Sequence, residues 1–277
     1  MVQSQSLSVE CAARAHRLAM QTPTRRVVLL GASNLTRSFP TVVATVRQTW
    51  PEPIEIMAAM GHGRSYGQDS SVLGKKNSGI FPCALWQDLQ RRPTLPTAAL
   101  ITDIGNDILY GVSTDQMLAW VEGCLDRLAD VGAATIVTQL PAESIERLGE
   151  RRFRFFRRVL FPSSSLTLND ARSRVREINE RLLEIGHTRK ISVISASGLW
   201  YGLDPIHVKR SAMRTAWPVL MAAWRAAQEP LAIASSSWWM AAYLKGLEPY
   251  ECSKFGFRCR AEQPNGQLND GTTISIY

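Results

Sequence analysis

Four short stretches of the chain carry side chains whose types and spacing can do chemistry. Gly31-Ala32-Ser33-Asn34-Leu35 places a serine where a β-branched run gives way to a helical one. Such a turn exposes the hydroxyl and aims backbone N–H groups at a neighbouring ligand. The position equally suits a serine that merely caps a helix. Towards the other end, Asp204-Pro205-Ile206-His207 sets a carboxylate three residues before a histidine, within reach of one ring nitrogen in a short turn. That contact would fix the tautomer, leave the other nitrogen to accept a serine proton, and stabilise the resulting imidazolium. The chain has only four histidines, and this one comes with its carboxylate.

Between these two lies Asp103-Ile104-Gly105-Asn106-Asp107. An asparagine amide just past a strand can donate to an oxyanion, though Asn-Asp is also a common turn. Gly61-His62-Gly63-Arg64-Ser65-Tyr66-Gly67 supplies a glycine loop whose N–H groups offer a further donor. It lacks the spacing of a phosphate loop or a dinucleotide fingerprint. Gly-x-Ser-x-Gly is excluded because position 35 is Leu, and Ser-x-x-Lys because position 36 is Thr.

The elements that must position these groups are legible from residue 26 onward. Short apolar runs alternate with longer helical ones, which argues for a parallel sheet covered on both faces. The expected strands are five: Val27 to Leu30, Ile54 to Ala58, Ala98 to Thr102, Thr135 to Gln139 and Ile191 to Ile194. Ser113 with Gln116 reads as a capping box, opening a helix through Met117, Val121, Cys124 and Leu128 that Gly132 can stop. Ala171, Val175, Ile178, Leu182 and Ile185 form one apolar stripe ending at Gly186. A last helix from Ser211 to Trp224 contains Pro218, which should kink or split it. The four polar stretches then follow four different strands, at the edge where open α/β sheets bind ligands.

In that order (Ser, Gly, Asn, then Asp with His) the chain resembles the SGNH, or GDSL-type, serine hydrolase family. The resemblance covers about residues 26 to 225 and implies a flavodoxin-like three-layer α/β/α sandwich with a five-stranded parallel sheet. It implies a Ser33, His207, Asp204 triad and an oxyanion hole from Ser33, Gly63 and Asn106, with Gly61 as the alternative glycine. The expected activity is cleavage of small ester or acyl groups through an acyl-enzyme. An acyltransferase on the same scaffold and a non-catalytic binding protein are the alternatives. Two departures stand out: the usual Gly-Asp-Ser reads Gly31-Ala32-Ser33, and Ile104 replaces the first glycine of Gly-x-Asn-Asp.

The 277 residues and 45% apolar content suffice for one α/β domain with extensions. We expect an N-terminal extension over 1–25, the hydrolase domain over 26–228, and an appendage over 229–277 that packs on the core or a partner. The N-terminus lacks the uninterrupted apolar run of a signal peptide, and no stretch reaches the roughly 20 residues of a membrane span. Five scattered cysteines, with Cys252 and Cys259 read as unrelated, suit reduced thiols in the cytoplasm. No cofactor or metal is expected. Net charge is +8, with Arg151, Arg152, Arg154, Arg157 and Arg158 in one segment. If helical, that segment turns Arg151, Arg154 and Arg158 to one side and Phe153, Phe156 and Leu160 to the other. A solvated face is the plain reading, a binding patch the other; no nucleic-acid motif is present. Segment 141–167 is a candidate lid. Arg64, Trp200 and Tyr201 are candidates to line the substrate pocket or, equally, to be structural.

Overall fold

The computed structural model describes residues 22–72, 75–160, 164–225, 232–233, 235–254 and 257–277. Its elements run β1 (Arg25–Leu30), α1 (Ser33–Thr49), β2 (Ile54–Ala59), the hairpin β3 (Ser70–Val72) and β4 (Lys75–Asn77), α2 (Leu85–Arg91), β5 (Thr97–Ile101), α3 (Asn106–Leu109) and α4 (Thr114–Asp130). There follow β6 (Ala134–Thr138), α5 (Ala142–Glu146), α6 (Glu150–Leu160), α7 (Leu168–Arg189), β7 (Ser192–Ile194) and α8 (Arg210–Met221). The last are α9 (Trp238–Gly246), the hairpin β8 (Glu251–Lys254) and β9 (Phe257–Arg260), then β10 (Gly266–Gln267) and β11 (Thr273–Ile276). The central sheet has seven strands in the order β10-β11-β2-β1-β5-β6-β7. All neighbours are parallel except β10 and β11.

The layers follow from side-chain alternation along the strands. Val27 and Leu29 of β1 pack with Leu35, Val42 and Val46 of α1 and Trp217 of α8. Val28 and Leu30 face the other way, towards α2, α4 and α7. Burial on both faces explains why β1 from Val27 and β2 from Ile56 read as apolar runs.

Three expectations change in detail. The sheet has seven strands rather than five, because the tail adds β11 beside β2 and β10 at the edge. The helix expected to end at Gly186 continues to Arg189 and closes on Lys190 in a left-handed conformation. Gly186 is there for close approach: a Cβ on it would lie 2.4 Å from the Val193 side chain. Pro218 lies inside α8, which tightens into a 3₁₀ turn after Met221. Ser113 caps the helix, its Oγ accepting from Gln116 N–H at 3.3 Å. Residues 1–21 lie outside the described residues, as does the Cys252 side chain, although Cys252 and Cys259 stand opposite each other in the β8–β9 register. No helix among the described residues is long and apolar enough to cross a membrane.

Candidate active site

The strand order reverses at β1: β2 lies to one side, β5, β6 and β7 to the other. A crevice opens at such a reversal beyond the carboxyl ends of the strands. Ser33 sits there as the first residue of α1, directly past β1. Ala32, at the cap position, offers no side-chain acceptor. The acceptor comes from beyond β5, where Asp103 Oδ2 takes the backbone N–H of Ala32 and Asn34 at 2.9 Å each and of Leu35 at 3.1 Å. Asp103 adopts a left-handed φ of 59°, which aspartate tolerates better than most residues. A carboxylate so placed also meets the positive end of the α1 dipole. It passes over Ser33, whose own N–H has no acceptor among the described residues.

Asn34 ties this turn to the histidine loop. Its Nδ2 donates to Asp103 Oδ1 at 2.8 Å and to the Ile206 carbonyl at 2.9 Å, while its Oδ1 accepts from Val208 N–H at 2.8 Å. His207 is thus gripped on both flanks. Its Nε2 lies 2.9 Å from Ser33 Oγ and its Nδ1 2.6 Å from Asp204 Oδ2. With the Nδ1 proton on the Asp204 side, Nε2 is the acceptor facing the hydroxyl. Asp204 Oδ1 accepts from the N–H groups of Ile206 at 3.1 Å and His207 at 3.2 Å. Burial alone would raise the Asp204 carboxyl. The His207 hydrogen bond, the ring's charge and the two backbone donors outweigh it and hold the group below its usual range.

The loops after β2 and β5 are stitched together on the other side of Ser33. Asn106 opens α3 and its Nδ2 donates to the Arg64 carbonyl at 3.2 Å. Asp107 accepts the Ser65 hydroxyl and, at 2.8 Å, the Tyr66 N–H. Tyr110 Oη donates to the Gly63 carbonyl at 2.6 Å. Gly63 has φ 62°, the left-handed turn that favours glycine, and its N–H has no acceptor among the described residues. Gly61 answers a packing need instead, since a Cβ there would lie 2.7 Å from Asn77. Burial pushes the Asp107 carboxyl up to about 6, against the opposing pull of Ser65 and Tyr66.

Ser33 and Asn106 stand on the wall of a cavity of about 120 Å³. Its depth is apolar, with Ile108, Leu140, Leu148, Phe153, Phe156 and Val175 among the lining. Segment 141–167, expected as a lid, supplies α5 and α6 over this cavity. Arg64 and Trp200 lie outside the lining of this cavity. Arg64 is 1% exposed and absent from the lining; its guanidinium serves the main-chain oxygens of Ser78 at 2.8 Å, Met60 at 3.2 Å and Tyr277. Trp200 packs against the α1 and α8 side of the core and lines a smaller cavity with Asn34 and Asp103, while Tyr201 reaches both that cavity and the one at Ser33. Asp103, Asn34 and Asp107 were in view in the sequence, but nothing in their spacing marked them as the ties between loops.

No family model and no curated protein matches the chain. Among solved structures, it is similar to the psychrotrophic esterase EstA from Pseudoalteromonas sp. at 13% identity and TM-score 0.45, covering 72% of this chain and 97% of that one. TesA is similar at 15% identity and TM-score 0.40, covering 68% and 91%. A putative lipolytic protein of the G-D-S-L family from Desulfitobacterium hafniense is similar at 11% identity and TM-score 0.37, covering 66% and 84%. Likeness at this level assigns no activity, so the chemistry rests on the site's own geometry.

Proposed function

We propose that this chain is a serine hydrolase of SGNH type that cleaves carboxylic esters through an acyl-enzyme on Ser33. The observation that carries the reading is the relay from Ser33 Oγ to His207 Nε2, at 2.9 Å, and from Nδ1 to Asp204, at 2.6 Å, at the wall of an apolar cavity. Ser33 Oγ attacks the carbonyl carbon while Nε2 takes its proton. Asp204 holds the ring and balances the imidazolium. The Ser33 N–H, the Gly63 N–H and the Asn106 amide are the donors for the oxyanion. Collapse expels the alcohol, which leaves with the proton from Nε2, and water repeats the cycle to free the acid.

The apolar cavity favours an acyl chain longer than acetyl. A series of aryl esters from acetate to decanoate should therefore show a rising kcat/KM before the cavity is filled. A fluorophosphonate probe should label Ser33 and spare Ser33→Ala. Asn106→Ala should lose roughly 10² to 10³ in kcat with the fold intact, the range for one oxyanion donor. Folded wild-type protein that escapes the probe would refute the nucleophile.

A further inference from the structure

The helix α6 has two faces with different tasks. Phe153, Phe156 and Arg157 turn inward and line the cavity beside Ser33. The opposite face is exposed and carries Arg151, Arg152, Arg154 and Arg158 around Phe155 and Val159. Phe155 is 63% exposed and Val159 59%, an unusual position for apolar side chains on so basic a helix. None of these arginines forms an ion pair among the described residues, whereas the nearby acids are already engaged: Glu143 with Arg147, and Glu146 with Arg172 and Arg176. Glu150 is the one acid on the helix.

The patch continues onto the loop that leads to Asp204. Arg152 donates to the main-chain oxygens of Gly202, at 3.4 Å, and of Leu203, which fastens α6 to that loop. Leu199 and Leu203 project from it at 75% and 79% exposure. Lys209 and Arg210, just past His207, are exposed as well. Basic side chains thus surround four outward apolar ones on the two segments that flank the site. A merely solvated helix has no use for the apolar residues, and a polyanion in water has none either. An interface of anionic lipid uses both, taking the apolar tips among its acyl chains and the guanidinium groups among its headgroups.

We propose that the outer face of α6, with the Leu199–Leu203 loop, docks the protein on anionic lipid surfaces and sets the site against the layer in which its substrates partition. This rests on the esterase reading only for what the surface would deliver; docking itself needs no working Ser33. The test is flotation with vesicles of pure phosphatidylcholine and of phosphatidylcholine with equal parts phosphatidylglycerol. Wild type and Ser33→Ala should both float with the anionic vesicles and neither with the neutral ones. The triple variant Arg151→Gln, Arg154→Gln, Arg158→Gln should lose on the order of 100-fold in anionic-vesicle affinity. Phe155→Ser should lose about tenfold. Both should hydrolyse a soluble aryl ester at the wild-type rate, which also shows that they fold. The proposal fails if wild type ignores anionic vesicles, binds both kinds equally, or binds as well without the arginines. It also fails if the protein is retained by heparin or RNA but not by vesicles, since the arginines would then serve a macromolecular anion. Failure of Ser33 labelling with docking intact would overturn the esterase alone.

Discussion

Asp103 does at a distance what the residue before Ser33 cannot. With alanine at position 32, the first turn of α1 has no acceptor of its own, and the carboxylate that serves it comes from 71 residues further along the chain. We expect Asp103→Asn, which keeps the shape and the tolerance for a left-handed φ, to lower stability by about 1–3 kcal/mol, the usual cost of weakening hydrogen bonds to a charged group, here half-buried. It should also reduce kcat at least tenfold with a smaller change in KM, because the turn that positions Ser33 loses its acceptor while the apolar lining from α5 to α7 keeps its residues. Denaturant midpoints and steady-state kinetics on a soluble ester check both, and a wild-type kcat would remove Asp103 from the site's support. The residues proposed to react, Ser33, Asn106, Asp204 and His207, stood out in the sequence because each comes after a short apolar run that reads as a strand. Their supports did not. A hydrogen bond between side chains far apart in sequence leaves no local pattern, so nothing marked Asp103 and Asn34 as supports.

Asp107 works one level up, joining α3 to the loop after β2. Its folded value is raised to about 6 by burial, so between its ordinary value near 4 and about 6 the native state holds more protons than the unfolded chain. The stabilising contribution of the protonated form is complete below the lower value and is lost as pH rises through the upper one. Urea midpoints measured across this window should fall with rising pH for wild type, and less steeply for Asp107→Asn. Equal slopes would mean that the carboxyl is not perturbed. At this scale the sequence was informative about helix starts and less so about their ends. The Ser113 cap was legible because it is local, whereas Gly186 looked like a stop because nothing nearby announced that Val193 would press against it.

The whole molecule depends on a segment that the sequence placed outside the sheet. The tail read only as an appendage packing on the core or a partner, whereas β11 lies in the sheet, parallel to β2, with Ile274 opposite Ile56. Ile274 is fully buried, and we expect Ile274→Ala to cost about 2–5 kcal/mol in global stability. Chemical denaturation measures it; a loss well under that range would mean the tail is only loosely held. Arg64 extends the dependence to the site. Its guanidinium holds the Tyr277 main-chain oxygen, while its carbonyl receives the Asn106 amide. One buried residue therefore couples Tyr277, just past β11, to the proposed oxyanion donors.

This arrangement bears on how the protein comes into being. Arg64 and its partner at Tyr277 are separated by 213 residues, so all of that intervening length must leave the ribosome before the flank of β2 can be covered. Closing so long a loop adds little to the equilibrium cost, which grows only with the logarithm of length. What grows is waiting time, during which a bare strand edge stands ready to pair with the wrong neighbour.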